Sequence, residues 1–359
     1  MLFILFWDFL KKTFTSMPSM SFWNNAGIIQ LFIFIIVLTS YFKAPGQSAF
    51  NSFSTDIDDI NNFDNYSLTY GPENFKIKNA EFDSLNIPLK RAGRLFLIEV
   101  KLDGQVGNFI FDTGASNLLL NRTYFRDYKT SGTQKSFGIT GNVNAVDQVL
   151  IDSLEFSDLK YTKIQADVAN LNHLENRAGV RILGLLGFNM IKNFEIILDG
   201  NNNLLQLFRI DRNGSRVNSK AILKTHCTQK IEFLNNILFL TGKISDRKLL
   251  FCFDTGAEMN SLSSYCPKKV LSSIAVKGRT ILKGAGSGNY EVLHGIMGNF
   301  EFETYPIKGM ETIIADLGHL SMVYGNYIDG ILGYNFISQG IISINFVKRQ
   351  FGITFIKQD

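Results

Sequence analysis

From residue 76 onward, short runs rich in Ile, Leu, Val and Phe alternate with clusters of Gly, Asn and Asp, and few stretches keep the 3.6-residue period of an amphipathic helix. Apolar runs of roughly four to eight residues bounded by turn formers are the pattern of strands. The chain therefore reads as all-β. Residues 95–100 (LFLIEV) predict a strand closed by a turn at Asp103 and Gly104, and residues 237–242 (ILFLTG) predict a second strand of the same kind. Further apolar strands are predicted within 194–208 and 341–355. Residues 44–75 break the pattern: they are polar, with Asp56, Asp58, Asp59, Asp64 and Glu73, and read as a linker.

The strand pattern runs twice. In each copy an apolar run ends in Asp-Thr-Gly-Ala, first as Phe111-Asp112-Thr113-Gly114-Ala115 and then as Phe253-Asp254-Thr255-Gly256-Ala257. Glycine-bearing turns follow, at 138–141 and 284–288, starting 26 and 30 residues after the respective Asp. A second signature comes next, Gly184-Leu185-Leu186-Gly187 and Gly330-Ile331-Leu332-Gly333, its last Gly 75 and 79 residues after the Asp. The same four-residue difference at both points places one small insertion between Asp254 and the second turn. Repetition on this scale predicts two equivalent units: residues 76–210 and 221–359, joined by a polar linker at 211–220 that contains Asn-Gly.

Two equivalent Asp-Thr-Gly sites predict a pair of carboxylates brought together by pseudo-symmetry, so Asp112 and Asp254 are the candidate catalytic residues. Carboxylates a few ångströms apart in a low-dielectric cleft cannot both ionise, and one pKa falls while the other rises. A singly protonated pair can hold a water, take its proton and return one to the leaving group. Gly114 and Gly256 would let backbone approach the carboxylates without a Cβ clash and offer them N–H groups. A lone Asp-Thr-Gly would read as a structural turn; the doubled surroundings argue against that.

Composition removes the competing chemistries. The 359-residue length suits two domains, and 45% apolar with 19% charged residues is globular. Net charge is +4 with basic residues scattered, which leaves no footprint for nucleic acid. Cys227, Cys252 and Cys266, with His173, His226, His294 and His319, show no ligand spacing, so neither metal nor cofactor is expected. A Cys227–Cys266 bridge stays open, and Cys252 reads as a small core residue. The run at 284–288 (GAGSG) lacks the Lys-Ser/Thr of a phosphate loop.

The N-terminus departs from this soluble pattern. No charged residue lies between Lys12 and Lys43, and residues 26–42 form an apolar run of 17, the lower limit for a helix crossing a bilayer. Lys11 and Lys12 precede it, which places the N-terminus in the cytoplasm and the remainder outside. A cleaved signal peptide ending near Gly46-Gln47-Ser48-Ala49 is the other reading. Residues 1–43 are thus a membrane anchor or signal segment, and either way the rest is periplasmic or extracellular.

Asp-Thr-Gly-Ala at a strand end, a Gly-rich hairpin, and then Ile331-Leu332-Gly333-Tyr334-Asn335-Phe336-Ile337 before the last strands resemble the retropepsin-like aspartic proteases, relatives of pepsin. The resemblance implies two tandem retropepsin-like β-barrel lobes forming a pseudo-dimer behind an N-terminal transmembrane helix. It implies an aspartic endopeptidase with a polypeptide substrate and a monomer whose dyad is intramolecular; the membrane as a partner is read from the N-terminal apolar run, and the lack of a nucleic-acid partner from the scattered charge. Thr113 and Thr255 would hydrogen-bond across the lobe interface, and Gly187 and Gly333 would sit in a loop passing behind the catalytic one. The hairpins bearing Gly138 and Gly141, and Gly284 and Gly286, would be flaps that close over substrate; Tyr290, at the edge of the second, reads as packing. A catalytically silent peptide-binding protein, or a protease active only as a homodimer of chains, are the alternatives.

Two departures from the family pattern carry expectations. Ala115 and Ala257 stand where pepsins carry Ser or Thr. Without a hydroxyl to favour the charged form, the pair should titrate higher, which predicts a mildly acidic to neutral optimum. Retropepsins also pair an Asp beyond the catalytic Gly with an Arg after Ile-Leu-Gly. The corresponding positions here are Ser116 and Glu258, against Phe188 and Tyr334, so the lobe interface is expected to rest on apolar contact.

Overall fold

The strand Leu159–Ala169 buries alternate residues over most of its length, and Ser84–Pro88 alternates exposed and buried throughout. That is the period a half-buried strand requires. The computed structural model describes residues 76–78, 82–138, 141–217, 223–234, 236–283 and 289–356. The segments read as membrane anchor and acidic linker (1–43 and 44–75) lie outside the described residues, and so does the span 284–288. Among the described residues no helix is long and apolar enough to cross a membrane.

The described chain is mostly β, as its patterning predicts. In the first half six strands pair in a closed ring: Gln105–Phe111, Leu95–Leu102, Gly141–Phe156, Leu159–Ala169, Leu119–Asn121 and Ile182–Leu186, which returns to Gln105–Phe111. The second half repeats these pairings with its two long strands broken. Asn289–Met297 and Phe300–Phe302 replace the one, and Tyr305–Ile307 and Met310–Ala315 the other. In both halves the strand that leads into Asp-Thr-Gly lies parallel to the Gly-x-x strand of the second signature. Leu186 pairs with Phe111, and Leu332 with Phe253.

Aromatic packing holds these two strands in place. Phe109, Phe111, Phe251 and Phe253 are all fully buried, each contributing roughly 1.5–3 kcal/mol by burial. Phe251 stands edge-on to Phe300 and Phe253 edge-on to Phe351, a geometry that adds to the area term.

A third sheet joins the halves. Its order is Cys227–Lys230, Gln350–Phe355, Gly340–Asn345, Phe194–Asp199, Leu204–Arg209, Ser84–Pro88. The middle pairing crosses from one half to the other, with Ile196 opposite Ile344 and Leu198 opposite Ile342, all buried. As far as Val217, the stretch expected as a polar linker is a pinned turn. The Asp211 carboxylate accepts from the N–H groups of Asn213 and Ser215, and Arg216 reaches Glu195 at 2.8 Å while lying over the Phe208 ring. Cys227 and Cys266 are both free, so the bridge left open by the sequence is not formed; Cys252 is a buried core residue.

Candidate active site

Backbone hydrogen bonds place each aspartate at the end of its strand. The Asp112 N–H donates to Leu186 O at 3.1 Å and the Asp254 N–H to Leu332 O at 3.0 Å. The chain then turns back, with Ala115 N–H on Asp112 O and Ala257 N–H on Asp254 O, both at 3.3 Å. Behind the turns, Phe188 N–H donates to Ala115 O at 2.8 Å and Tyr334 N–H to Ala257 O at 2.9 Å. The approach is so close that a Cβ at Gly187 would lie 2.2 Å from Asn117 O, and one at Gly333 2.5 Å from Ala257 O.

The two turns are locked to each other by the threonines. Thr113 N–H donates to Thr255 Oγ1 at 2.9 Å, and Thr255 N–H donates to Thr113 Oγ1 at 3.0 Å. Each hydroxyl then donates onward to the opposite strand, Thr113 to Phe253 O at 3.1 Å and Thr255 to Phe111 O at 2.7 Å. Both threonines are 1% exposed, so all four bonds are shielded from water.

This lock sets Asp112 and Asp254 face to face. A Cβ at Gly114 would lie 2.5 Å from Asp254 Cγ, and one at Gly256 2.7 Å from Asp112 Cγ. Each carboxyl therefore rests on the other half's glycine, and no larger residue fits there. Gly114 N–H and Ala115 N–H donate to Asp112 Oδ1 at 2.9 and 3.1 Å, and Gly256 N–H donates to Asp254 Oδ1 at 2.8 Å. The carboxyls also hydrogen-bond each other. Both residues keep a partly open side, yet the carboxyls sit deep enough that burial raises both pKa values. For Asp112 the like charge of Asp254 adds to burial and carries it well above its ordinary value; for Asp254 the bond from Asp112 and the backbone N–H groups offset part of the rise. Like charges in contact ionise one after the other, and the pair shares a proton.

Around the pair, the interface between halves differs from the expectation of apolar contact alone. Phe188 packs on Phe233 and Phe346 of the second half. Its counterpart Tyr334 packs on Phe96 and stacks under the Arg91 guanidinium at 4.6 Å. Two ion pairs also cross: Arg177 to Glu258 and Arg94 to Glu311, each at 2.6 Å. Glu258 thus does have a cationic partner, on the helix Asn172–Ala178 of the first half rather than after Ile-Leu-Gly. The sequence offered no spacing rule that joins 177 to 258 or 94 to 311.

The expected flaps correspond to two long hairpins. Gly138 and Gly141 are the last paired residues of the first, Thr130–Gly138 with Gly141–Phe156, so Gly141 begins the returning strand instead of lying in the turn. Ile274–Lys283 and Asn289–Met297 form the second, with Lys283 paired to Asn289; Gly284 and Gly286 fall outside the described residues. Tyr290 is 51% exposed, against the expectation that it packs. Among the described residues no group of His, Cys, Asp or Glu side chains is placed to hold a metal ion.

Residues 98–190 match the sequence model of a family described as Aspartyl protease. The matched segment contains Asp112, Thr113, Gly114 and Gly187, and supports an aspartyl protease family and peptide hydrolysis as the class of activity. No curated protein matches the chain.

Proposed function

We propose that the chain is an aspartic endopeptidase that hydrolyses peptide bonds with a water held between Asp112 and Asp254. The observation that carries this reading is the contact of the two carboxyls across the threonine lock, each over the opposite glycine. With one proton shared, the ionised member takes a proton from the water as its oxygen attacks the peptide carbonyl. The protonated member gives its proton to the carbonyl oxygen. A tetrahedral diol results; its collapse breaks the C–N bond as a carboxyl protonates the departing nitrogen, and the pair regains one proton.

The tandem retropepsin-like arrangement is supported by the repeated strand pairings, and a monomeric enzyme by the fact that one chain supplies both aspartates. Attachment to a membrane with the hydrolytic part outside the cytoplasm rests on the apolar run at 26–42 behind Lys11 and Lys12. Alanine at 115 and 257, together with the raised pair, favours activity at mildly acidic to neutral pH.

The test is cleavage of a peptide library by wild type, Asp112→Asn and Asp254→Asn. Each substitution leaves a pair that can no longer both accept and donate, and should lower kcat/KM by at least about 1000-fold. Cleavage retained by either single variant refutes the shared pair.

A further inference from the structure

The strand that leads into each aspartate serves two cores. Phe251 and Phe253 turn to the main core, while Leu250 and Cys252 turn the other way, in step with Asp254. In the first half Phe109 and Phe111 join the main core, and Ile110 turns the other way, in step with Asp112. On the carboxyl face each half thus has its own small apolar cluster, and each cluster reaches one of the long hairpins, through Val146 and through Val292. These clusters are the side walls available to a chain lying across the carboxyl pair. A seven-residue helix closes each wall. Asn172–Ala178 sends Arg177 to Glu258 beside the other half's Asp-Thr-Gly turn, and Gly318–Tyr324 lies against the hairpin strand Thr130–Gly138 of the opposite half.

The two walls are built from the same places in the repeat. Equivalent positions lie 142 residues apart up to the aspartates and 146 apart beyond the four-residue insertion. By that rule Val146 matches Val292, and Ile182 matches Ile328. Three adjoining positions break the match. Leu97 and its cross-strand partner Ile110 correspond to Phe239 and its cross-strand partner Cys252. Ala178, the last residue of its helix, corresponds to Tyr324. The Tyr324 ring stands edge-on to Phe239 at 5.9 Å and 73°, and Tyr324 is only 7% exposed. Together the two rings take up far more room than Cys252 gives back against Ile110. Ala178 is half-buried: where Tyr324 packs its ring into the second wall, the first wall ends in a methyl with one side open.

We propose that the two side-chain sites flanking the carboxyl pair are unequal: the first half, at Ala178, receives a bulky apolar side chain of the substrate, and the second half, filled by Tyr324 and Phe239, receives only a small one. The proposal rests on Asp112 and Asp254 being the hydrolytic pair, and it names the substrate class of that site. The preferred scissile bond joins a large apolar residue to a small residue. Ala178 and Tyr324 set this preference by the space they leave. A side chain too large for its site must displace a packed ring, whereas a large one in the open site gains apolar burial.

With the full chain, kcat/KM is measured on peptides that carry Phe on one side of the scissile bond and Ala on the other, in both orders, and Phe on both sides. Each value is taken relative to a peptide with Ala on both sides, which cancels any general loss of activity in a variant. Wild type should cleave one mixed peptide at least about 10-fold better than the peptide with Phe on both sides. Tyr324→Ala opens the second site and should remove most of that difference. Ala178→Phe fills the first site and should lower the favoured mixed peptide by about 10-fold or more. Equal acceptance of Phe on both sides by wild type, or ratios unchanged in both variants, overturns the proposal. The same peptides with a methyleneamine in place of the scissile amide are titrated calorimetrically. Preference for one mixed peptide in binding by a chain that cleaves nothing removes the hydrolytic reading and leaves the unequal sites in place. Equal binding of all of them, or none, overturns the unequal sites themselves.

Discussion

Replacing Thr113 by Val tests how the two Asp-Thr-Gly turns are held. Valine matches the shape but deletes the hydroxyl, which accepts from Thr255 N–H at 3.0 Å and donates to Phe253 O at 3.1 Å. The change leaves one buried N–H and one buried C=O short of a partner. An orphaned buried group costs about 1–3 kcal/mol, and the carbonyl end is the cheaper because it has a second lone pair. The expected loss is about 2–4 kcal/mol, a large share of the roughly 5–15 kcal/mol of a typical domain. Thr255→Val removes the mirror-related pair of bonds and should cost the same. The double variant should lose less than the two singles added, because the first substitution already loosens the bonds the second removes. Urea unfolding followed by intrinsic fluorescence reads the stability, and peptide cleavage reads the alignment of the carboxyls. Thr113→Ser keeps the hydroxyl and should restore most of both. Both valine variants unfolding within about 0.5 kcal/mol of wild type would refute the idea that this lock bears on stability.

Two further outcomes follow from the pair itself. Gly256→Ala puts a methyl 2.7 Å from Asp112 Cγ, well inside contact distance, and should cut kcat/KM at least about 100-fold while changing stability by roughly 1–3 kcal/mol; a fully active variant would contradict the close approach. Asp112 titrates well above its unfolded value, so ionising it destabilises the native state, a penalty that is absent below about pH 4 and grows as pH rises through the folded pKa. Asp112→Asn should therefore unfold at a higher temperature than wild type at pH 7, with the difference vanishing near pH 3–4 in a series of thermal melts.

What could be read from the sequence was what local backbone geometry dictates. Asp-Thr-Gly and Gly-x-x-Gly recur because each glycine is crowded by a neighbouring chain, and crowding leaves a residue signature. The strands at 95–100 and 237–242 were visible because burial on both faces leaves a short continuous apolar run bounded by turn formers. The seven-residue helices Asn172–Ala178 and Gly318–Tyr324 were not, since two turns are too short to show a period. Gly179 and Gly325, both left-handed helix ends, were the available signal. The partner of Glu258 was illegible for another reason: an ion pair between Arg177 and Glu258 depends on how two halves dock, and nothing local records it. The broken strands of the second half were also hidden. Pro306 and the left-handed Gly309, at φ 75°, accompany the break at 308–309, but either could equally mark an ordinary turn.

The sheet that joins the halves also governs when the two halves can come together. Ser84–Pro88 waits for Leu204–Arg209, and Phe194–Asp199 waits for Gly340–Asn345. Such distant pairings close late, because the entropy of the intervening loop is lost before any contact returns it. A growing chain that has made both Asp-Thr-Gly turns but not residues 340–355 still lacks the central seam, and carries Phe194–Asp199 as an open edge. An open edge pairs with whatever strand it meets, including the same edge of another unfinished copy. Synthesis order thus sets when the two halves can be joined, and the hairpin at 340–355 is what covers the open edge of Phe194–Asp199.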